Sequence, residues 1–385
     1  MIVRGIDIVN FRNIAKAALS FSPTFNLITG RNAQGKTNLL EAIHLFSLGR
    51  SFRTRSLEET IRFGEEYLFC RLSGTADSGV DFDIEAGVER AGRIKVSING
   101  KKAAGLSEIL GIIPSVIFVA EDILLAAGPP AGRRIYLDYT AAQISPLYLR
   151  ELREYRGILR RRNVILEKAA REGAAPEGIE PWDAALVAKG ASIVKIRIDT
   201  MREIEARAET LLAEIMNEDS GFGMEYVCSF DPSGAEPKEA LERALARVRE
   251  AERRRGFTMA GPHYDDVQIF LEAAELRRYG SQGRKRLAAL VLKLAQALTI
   301  LERRGEKPVV ILDDIFSELD RQTAQRVREH LTDSYQSFIT TPRPEEFGEL
   351  PASAARFVVE SGTFSAARSE AELAPSLPPG CAERG

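Results

Sequence analysis

The chain has 385 residues, and its 53 lysines and arginines against 55 aspartates and glutamates give a formal net charge of −2. That balance excludes a protein that coats nucleic acid by bulk charge alone, although it allows a local basic surface. Three widely spaced cysteines exclude a disulfide framework and a cysteine-based zinc site. This cysteine usage fits a reducing compartment, and no apolar run reaches membrane-spanning length. Together these two observations predict a cytoplasmic protein.

The first part of the chain, residues 1–125, is predicted to be rich in β-strands. Val3 to Val9 alternates apolar and polar residues. Arg93 to Ile98 does the same before Asn99-Gly100, a dipeptide typical of a tight hairpin turn. Thr24 to Thr29 is a short apolar run typical of a buried strand, and we expect a helix soon after it.

Residues 126–257 are predicted to be helical, with little strand signal. Apolar residues recur at helical spacing from Leu149 to Val164, and again from Ala184 to Met216. A loop rich in glycine, proline and glutamate, residues 171–181, separates the two stretches. This pattern favours an antiparallel helical arm inserted into the chain. The alternative is an ordinary helical subdomain packed on the core.

Residues 258–367 return to an alternation of helices and strands. We expect a long helix over Arg284 to Glu302, a buried strand over Pro308 to Leu312 and another strand over Gln336 to Thr341. Residues 368–385 are dominated by alanine, proline, glutamate and serine, which predicts a flexible tail. The fold class predicted for the whole chain is therefore α/β, with a helical insertion.

A phosphate-binding loop of the form G-x-x-x-x-G-K-[ST] follows the strand that ends at Thr29. The residues predicted to bind nucleotide are Gly30, Arg31, Asn32, Ala33, Gln34, Gly35, Lys36 and Thr37. Backbone N–H groups of such a loop cradle phosphate oxygens at the start of a helix. Lys36 would neutralise the β- and γ-phosphates, and the Thr37 hydroxyl would coordinate Mg²⁺. The alternative is a chance glycine-rich turn.

An apolar strand, Val309 to Leu312, ends in the two acids Asp313 and Asp314, which is the Walker B pattern. Asp313 would reach Mg²⁺, and Asp314 would orient or deprotonate the attacking water. Because many strands end in aspartate, this pattern alone is weak evidence for a nucleotide site. It becomes strong evidence when a phosphate loop is present in the same chain.

A Ser-x-Gly sequence, Ser281 to Gly283, precedes the long predicted helix. Ser281 could simply be the N-cap of that helix. A hydroxyl, a free N–H and a helix N-terminus together would also suit a γ-phosphate. In this functional interpretation the catalytic residues are Lys36, Ser281, Asp313 and Asp314. Ser281 and Gly283 also join the residues of the phosphate loop as nucleotide-binding residues.

These motifs, followed by Ser317-Glu318-Leu319-Asp320, resemble the ABC/SMC-type P-loop ATPase head, an α/β fold that carries an inserted α-helical arm domain. Finer stretches resemble the RecF family of bacterial recombination-repair proteins and run from about residue 1 to 345. They are G-R-N-A-Q-G-K-T-N-L-L-E-A-I from Gly30, G-R-S-F-R-T from Gly49, R-R-I-Y-L-D from Arg133, Y-L-R-E-L-R-E-Y from Tyr148, R-R-R-N from Arg160, P-W-D from Pro181, G-P-H-Y-D-D from Gly261 and L-D-D-I-F-S-E-L-D from Leu312.

The resemblance to RecF implies ATP and Mg²⁺ as cofactors and an ATP-dependent homodimer, in which Ser281 of one copy meets the Lys36 loop of the other. It implies a clamp that binds single-stranded DNA and gapped or junction duplex DNA, with weak DNA-dependent ATPase activity. It also implies roles in DNA repair, DNA replication and the SOS response, with RecO and RecR as partners in loading RecA.

The match to the family has departures. Ala33 replaces the usual glycine of the phosphate loop, Tyr264 the usual arginine of G-P-H-R-D-D, and Arg284 the usual glutamine after S-Q-G. None of them removes a phosphate or metal ligand. We find no counterpart of the Q-loop glutamine, and Thr340-Thr341 stand where transporter ATPases carry a switch histidine.

Any DNA site on a chain of net charge −2 must be local. Five arginines of one predicted helix are candidate DNA contacts: Arg150, Arg153, Arg160, Arg161 and Arg162. Such a cluster suits backbone phosphates, which do not specify sequence. The alternative is a solvated helix face or a set of intramolecular ion pairs.

Two other kinds of ATPase are alternatives. A transporter ATPase subunit would need a switch histidine and a membrane partner, and the long arginine-rich insertion argues against it. A nuclease-coupled ATPase would need a separate cluster of metal-binding carboxylates. Asp265-Asp266 is the nearest candidate, and we interpret that pair as structural.

Overall fold

A computed structural model describes residues 1–54, 56–216, 221–231, 236–332, 335–344 and 353–366. The predicted flexible tail, residues 368–385, lies outside these residues. Across the part of the chain that is described, no helix combines the length and the apolarity needed to cross a membrane.

The strands, in chain order, are β1 (Ile2–Phe11), β2 (Ile14–Ser20), β3 (Phe25–Thr29), β4 (Tyr67–Thr75), β5 (Asp81–Glu89), β6 (Ile94–Ile98), β7 (Lys101–Ala103), β8 (Ser115–Phe118), β9 (Phe222–Val227), β10 (Asp266–Leu271), β11 (Ala274–Glu275), β12 (Val309–Asp313), β13 (Ser337–Thr341), β14 (Ala355–Glu360) and β15 (Thr363–Ala366). The α-helices are α1 (Lys36–Leu48), α2 (Ile123–Ala127), α3 (Pro130–Ile144), α4 (Pro146–Glu172), α5 (Glu180–Met216), α6 (Pro237–Arg255), α7 (Leu276–Tyr279), α8 (Gln282–Arg304) and α9 (Arg321–Thr332).

Two six-stranded sheets build the head of the molecule. One is antiparallel, in the order β2-β1-β4-β5-β6-β7, and the other has the order β15-β14-β3-β13-β12-β8. The second sheet is parallel except at its edge, where β15 pairs antiparallel with β14. Its central strands are continuous apolar runs because helices cover both faces.

Helices α1 and α8 cover opposite faces of the parallel sheet. Side chains alternate between the two faces along a strand. Val309 and Ile311 of β12 join the core that contains α1 and the antiparallel sheet. Val310 and Leu312 join the core that contains α8 and the second half of α5. The phosphate loop at the start of α1 and the Ser-x-Gly sequence at the start of α8 therefore belong to different layers.

The two long helices predicted in the middle of the chain are α4 and α5, joined by residues 173–179. They share a core with α6, built from residues such as Leu152, Ile193 and Leu241. The second half of α5 leaves that core, and Ile204 and Leu211 pack into the head beside α8. One helix thus spans the helical region and the ATPase-like head.

The prediction of little strand in residues 126–257 was wrong at β9. This strand pairs antiparallel with β10 from Phe222 opposite Leu271 to Val227 opposite Asp266. Its alternation is weak because only Phe222 and Met224 are buried. The sheet β11-β10-β9 joins residues on both sides of the predicted boundary at residue 257.

The prediction that Arg162 contacts DNA was also wrong, because this side chain is buried. Its guanidinium donates to Asp183 at 2.7 Å, to the Thr258 hydroxyl at 2.8 Å and to Glu252 at 2.6 Å. Helical periodicity turns Arg162 inward toward α6, while its neighbours Arg160 and Arg161 stay exposed. Arg162 therefore ties together α4, α5, α6 and the chain that follows α6.

We expect Arg162→Met to lower the free energy of unfolding by about 3–5 kcal/mol, because it leaves a buried carboxylate without its partner. That carboxylate belongs to Glu252, whose side chain is 1% exposed. Arg160→Met, on the same helix but in solvent, should change the free energy by no more than about 0.5 kcal/mol. Urea unfolding curves of the two variants would test this, and equal effects would contradict the buried bridge.

Candidate nucleotide-binding site

The phosphate loop connects β3 to α1 and needs glycine at both of its ends. Gly30 and Gly35 have φ angles of 151° and 119°. A Cβ atom on Gly30 would lie 2.4 Å from the carbonyl oxygen of Val359, and one on Gly35 would lie 2.7 Å from Oδ1 of Asn13. The loop is thus packed closely against β14 and the turn between β1 and β2.

Ala33, a departure from the family pattern, adopts a left-handed conformation with φ of 63°. Glycine occupies this region without steric cost, whereas another L-residue pays roughly 1–2 kcal/mol. The usual glycine of the family would therefore relieve strain here.

Lys36 points back into the loop that precedes it. Its side chain is 6% exposed, and Nζ donates to the carbonyl oxygens of Gly30 at 2.6 Å and Arg31 at 3.1 Å. Burial lowers the pKa of Lys36, and attraction by Asp314 and Asp313 partly opposes that change. The ammonium is thus held where a polyphosphate on this loop would need a cation.

Thr37 and Asp313 meet, as the sequence predicts for a Mg²⁺ site. The Thr37 hydroxyl donates to the two carboxylate oxygens of Asp313 at 3.0 and 2.8 Å. Burial raises the pKa of Asp313, and hydrogen bonds from Thr340 and Thr37 act in the opposite direction. Hydroxyl and carboxylate oxygens are the donors that Mg²⁺ prefers, so the residues present fit this ion.

Asp314 lies beside this pair in a left-handed conformation, with φ of 55°. Its backbone N–H donates to the carbonyl oxygen and the hydroxyl of Thr340, at 3.2 and 3.0 Å. Its Oδ1 is buried and has no hydrogen-bond partner among the described residues. Buried carboxylate oxygens normally accept a hydrogen bond. A bound water molecule would supply the donor that this oxygen lacks.

Thr340 is a residue of the site to which the sequence assigned no role. Its hydroxyl donates to Asp313 at 2.7 Å and accepts from the N–H of Asp314. Asp313 and Thr340 are neighbours in register between the parallel strands β12 and β13. The sequence places Thr340-Thr341 where transporter ATPases carry a switch histidine, but the contact with Asp313 follows only from the strand order.

Ser281 is the N-cap of α8, and its hydroxyl accepts from the N–H of Arg284 at 3.3 Å. Ser281 and Gly283 are exposed, and Arg284, another departure from the family, pairs with Glu272 at 3.2 Å. Among the described residues, no hydrogen bond joins Ser281 to the loop from Gly30 to Thr37. The structure therefore does not bring all the predicted site residues together within one chain.

Asp265 and Asp266 have protein partners. Asp265 accepts from the Tyr226 hydroxyl and the N–H of Ser229, both at 2.7 Å. Asp266 accepts two hydrogen bonds from Arg133, at 2.8 and 2.9 Å. Across the described ranges, no group of three or more histidine, cysteine, aspartate or glutamate side chains could hold a metal ion. These contacts agree with a structural interpretation of the pair.

The other four arginines predicted to contact DNA are exposed on α4: Arg150, Arg153, Arg160 and Arg161. The guanidinium of Arg161 lies 5.3 Å from the centre of the Trp182 ring. The guanidinium of Arg153 donates to the carbonyl oxygen of Ser107. Both contacts leave donor groups available to phosphates.

Comparisons with known proteins agree with the geometry. The family described as RecF/RecN/SMC N terminal domain matches residues 2–363. The DNA replication and repair protein RecF of Caldanaerobacter subterraneus subsp. tengcongensis is 37% identical over 347 residues, which cover 88% of this chain and 94% of that protein. The RecF protein of Symbiobacterium thermophilum is 36% identical over 376 residues, covering 94% and 98% of the two chains.

Solved structures give the same result. The structure of the recombination mediator protein RecF with ATP, described as part of the RecFOR pathway, has a TM-score of 0.87 and 34% identity, and the match covers 95% of this chain and 98% of that chain. The Smc head bound to the C-winged helix domain of ScpA has a TM-score of 0.56 at 17% identity, over 95% and 97% of the chains. The second likeness concerns the fold alone.

Proposed function

The chain belongs to the RecF family, and from that premise we propose that it is an ATP-dependent DNA-binding clamp of recombinational repair and replication. ATP joins two copies, the closed dimer holds DNA, and slow DNA-dependent hydrolysis releases it. The contact between Thr37 and Asp313 carries this proposal, because it unites the two halves of a nucleotide site that are far apart in the sequence.

In this proposal the residues Gly30 to Thr37 bind the phosphates of ATP through their backbone N–H groups, and Lys36 pairs with the β- and γ-phosphates. Thr37 and Asp313 hold Mg²⁺, which when bound neutralises developing charge on the phosphates. The free oxygen of Asp314 orients the attacking water and accepts its proton. The related RecF structure with ATP supports the choice of nucleotide.

Thr340 should position Asp313 for this chemistry. We expect Thr340→Val to lower kcat for ATP hydrolysis about tenfold, because two hydrogen bonds near the reacting groups are lost. Thr340→Ser keeps the hydroxyl and should stay within about twofold of the wild type. Steady-state kinetics at saturating Mg²⁺ would measure both variants. Equal rates for valine and serine would show that the hydroxyl has no role.

The exposed start of α8 is where the proposed dimer would complete the site. Ser281 and Gly283 lie at the N-terminus of a 23-residue helix, where a hydroxyl, free N–H groups and the helix dipole suit the γ-phosphate of the other copy. Tyr279, two residues before Ser281, is 74% exposed. The start of α8 is therefore accessible to a second molecule.

DNA contacts are proposed for the four exposed arginines of α4, with single-stranded and gapped or junction duplex DNA as substrates. Arginines on one helix suit phosphates, so binding should tolerate sequence changes and weaken with salt. RecO and RecR are proposed as partners in RecA loading. The description of the related RecF structure as part of the RecFOR pathway supports this choice of partners. We propose the cytoplasm as its location, where a protein that binds DNA in a bacterium would act.

Salt dependence tests the DNA contacts on α4. We expect the double variant Arg160→Ala, Arg161→Ala to reduce the slope of log affinity against log salt by about two for duplex DNA, since each lost phosphate contact contributes about 0.9. Arg93→Ala with Lys95→Ala removes two exposed positive charges from the β5–β6 hairpin and should leave the slope unchanged. Fluorescence anisotropy between low and physiological salt measures both. An unchanged slope in the α4 variant would place the DNA elsewhere.

Light scattering coupled to size exclusion tests the proposal as a whole. Wild-type protein should be a monomer alone and a dimer with ATP and Mg²⁺, and gapped duplex DNA should strengthen the dimer. A monomer under every condition would refute the clamp. The proposed division into a head of residues 1–125 and 258–367 and an arm of residues 126–257 would be tested by limited proteolysis of the same samples.

A further inference from the structure

The turn that joins β14 to β15, formed by Ser361 and Gly362, contacts the phosphate loop. The strand before this turn, β14, pairs in parallel with β3, the strand before the phosphate loop, and the Thr29 hydroxyl donates to the carbonyl oxygen of Phe357 at 3.2 Å. One residue further, Gly30 packs against the carbonyl oxygen of Val359. The hairpin thus follows the loop from its first residue.

Gln34 receives most of the hydrogen bonds from this turn. Its carbonyl oxygen accepts from the N–H of Gly362 at 2.8 Å and from the side-chain amide of Asn13 at 2.9 Å. Its side-chain oxygen accepts from the N–H of Ser361 at 2.6 Å. The Ser361 hydroxyl also donates to this side-chain oxygen, at 3.5 Å. Four donors from two distant parts of the chain therefore hold one residue of the loop.

Gly362 is closely packed between the loop and Asn13. Its φ is 79°, and a Cβ atom at this position would lie 2.3 Å from the carbonyl oxygen of Asn13. The turn therefore cannot carry a larger residue without moving away from Gln34. The hairpin turn at Gly79 is not packed in this way, since no atom lies within 4 Å of a Cβ at that position.

The geometry of one peptide bond links this contact to nucleotide binding. In a trans peptide the C=O of Gln34 and the N–H of Gly35 point in opposite directions. Two donors fix the carbonyl oxygen of Gln34 toward the hairpin and Asn13, so the N–H of Gly35 is fixed on the other side. Preorganised N–H groups bind anions more tightly because less ordering is needed at binding.

We propose that the turn Ser361-Gly362 is a positioning element, which acts through Gln34 to hold the phosphate loop in the form that binds ATP. This inference rests on the proposed function, since it deepens the assignment of the same loop. It makes the last described hairpin of the chain part of the nucleotide site, about 330 residues away in sequence from the loop it supports.

Two variants and one control test the proposal by calorimetric titration of the full chain with ATP and Mg²⁺. Gln34→Met keeps the side-chain length but loses the acceptor, and Gly362→Ala forces the turn away. We expect their ATP affinities to fall about fivefold and about tenfold, respectively. Gly79→Ala has the same left-handed strain without a close neighbour, so it should bind ATP as the wild type does.

A structural role alone would lower the melting temperature without changing affinity in the folded protein. The positioning role predicts instead that Gln34→Met melts like the wild type without nucleotide, and that its KM for ATP rises while kcat at saturation is kept. Wild-type affinity in Gln34→Met would overturn the inference, even if Gly362→Ala failed to fold. Absence of ATP binding in the wild type would overturn the proposed function itself, so the two failures are distinguishable.

Discussion

Lys36→Ala is expected to abolish measurable ATP binding, with affinity at least about a hundredfold weaker than in the wild type. The reason is the position of the ammonium, which two carbonyl oxygens direct into the loop at the end of a buried residue. The other basic residue of the loop, Arg31, has an exposed side chain, whereas Nζ of Lys36 is directed into the loop. Without Lys36 the phosphates would lose this inward-directed positive charge in a partly buried site.

Titration calorimetry with ATP and Mg²⁺ would measure this effect. Lys16→Ala is a suitable control, because Lys16 is exposed on the edge strand β2 and should leave affinity unchanged. Urea unfolding without nucleotide would show that the Lys36 variant is still folded. Binding close to the wild-type value in a folded Lys36→Ala protein would refute the assignment of this loop.

The sequence predicted those parts of the site whose information is local. Gly30 to Thr37 is contiguous, and its flanking strand and helix have clear periodicities, so the loop could be placed at once. Asp313 followed from an apolar run that ends in acids. The N-cap role of Ser281 likewise depends on its own helix, and the structure confirms it.

The residues that the sequence left without a role depend on which strands are neighbours. Thr340 reaches Asp313 only because β13 lies beside β12, and the hairpin after β14 reaches Gln34 only because β14 lies beside β3. Strand order in a sheet of this kind results from crossover connections, and it cannot be deduced from periodicity within each segment. These supporting contacts were therefore invisible in the sequence.

Two wrong predictions have a similar physical origin. Arg161 and Arg162 are adjacent in sequence, but a helix turns by about 100° per residue, so one lies in solvent and the other in the core. An ion-pair partner from another helix decides which of them is buried. Likewise β9 has few buried residues, and its identity as a strand comes from its pairing with β10.

Ser281→Arg should bind ATP with wild-type affinity yet remain a monomer. The phosphate loop is on a different layer from α8, so a bulky side chain at the start of α8 leaves the loop of its own chain intact. In a dimer closed by ATP, the same side chain would occupy the place of the γ-phosphate of the other copy. Light scattering with ATP and Mg²⁺ measures the mass directly, and calorimetry measures binding.

Arginine at position 281 also removes the N-cap, which costs about 1 kcal/mol, so a second variant must separate the cap from the dimer contact. Ser281→Asp can still accept from the N–H of Arg284, but it places a negative charge beside the expected γ-phosphate. It should therefore stay as stable as the wild type and still fail to dimerise. Ser78→Arg, in an exposed turn, controls for an added charge and should dimerise normally. If Ser281→Asp also dimerised with ATP, the start of α8 would be no more than a capped helix.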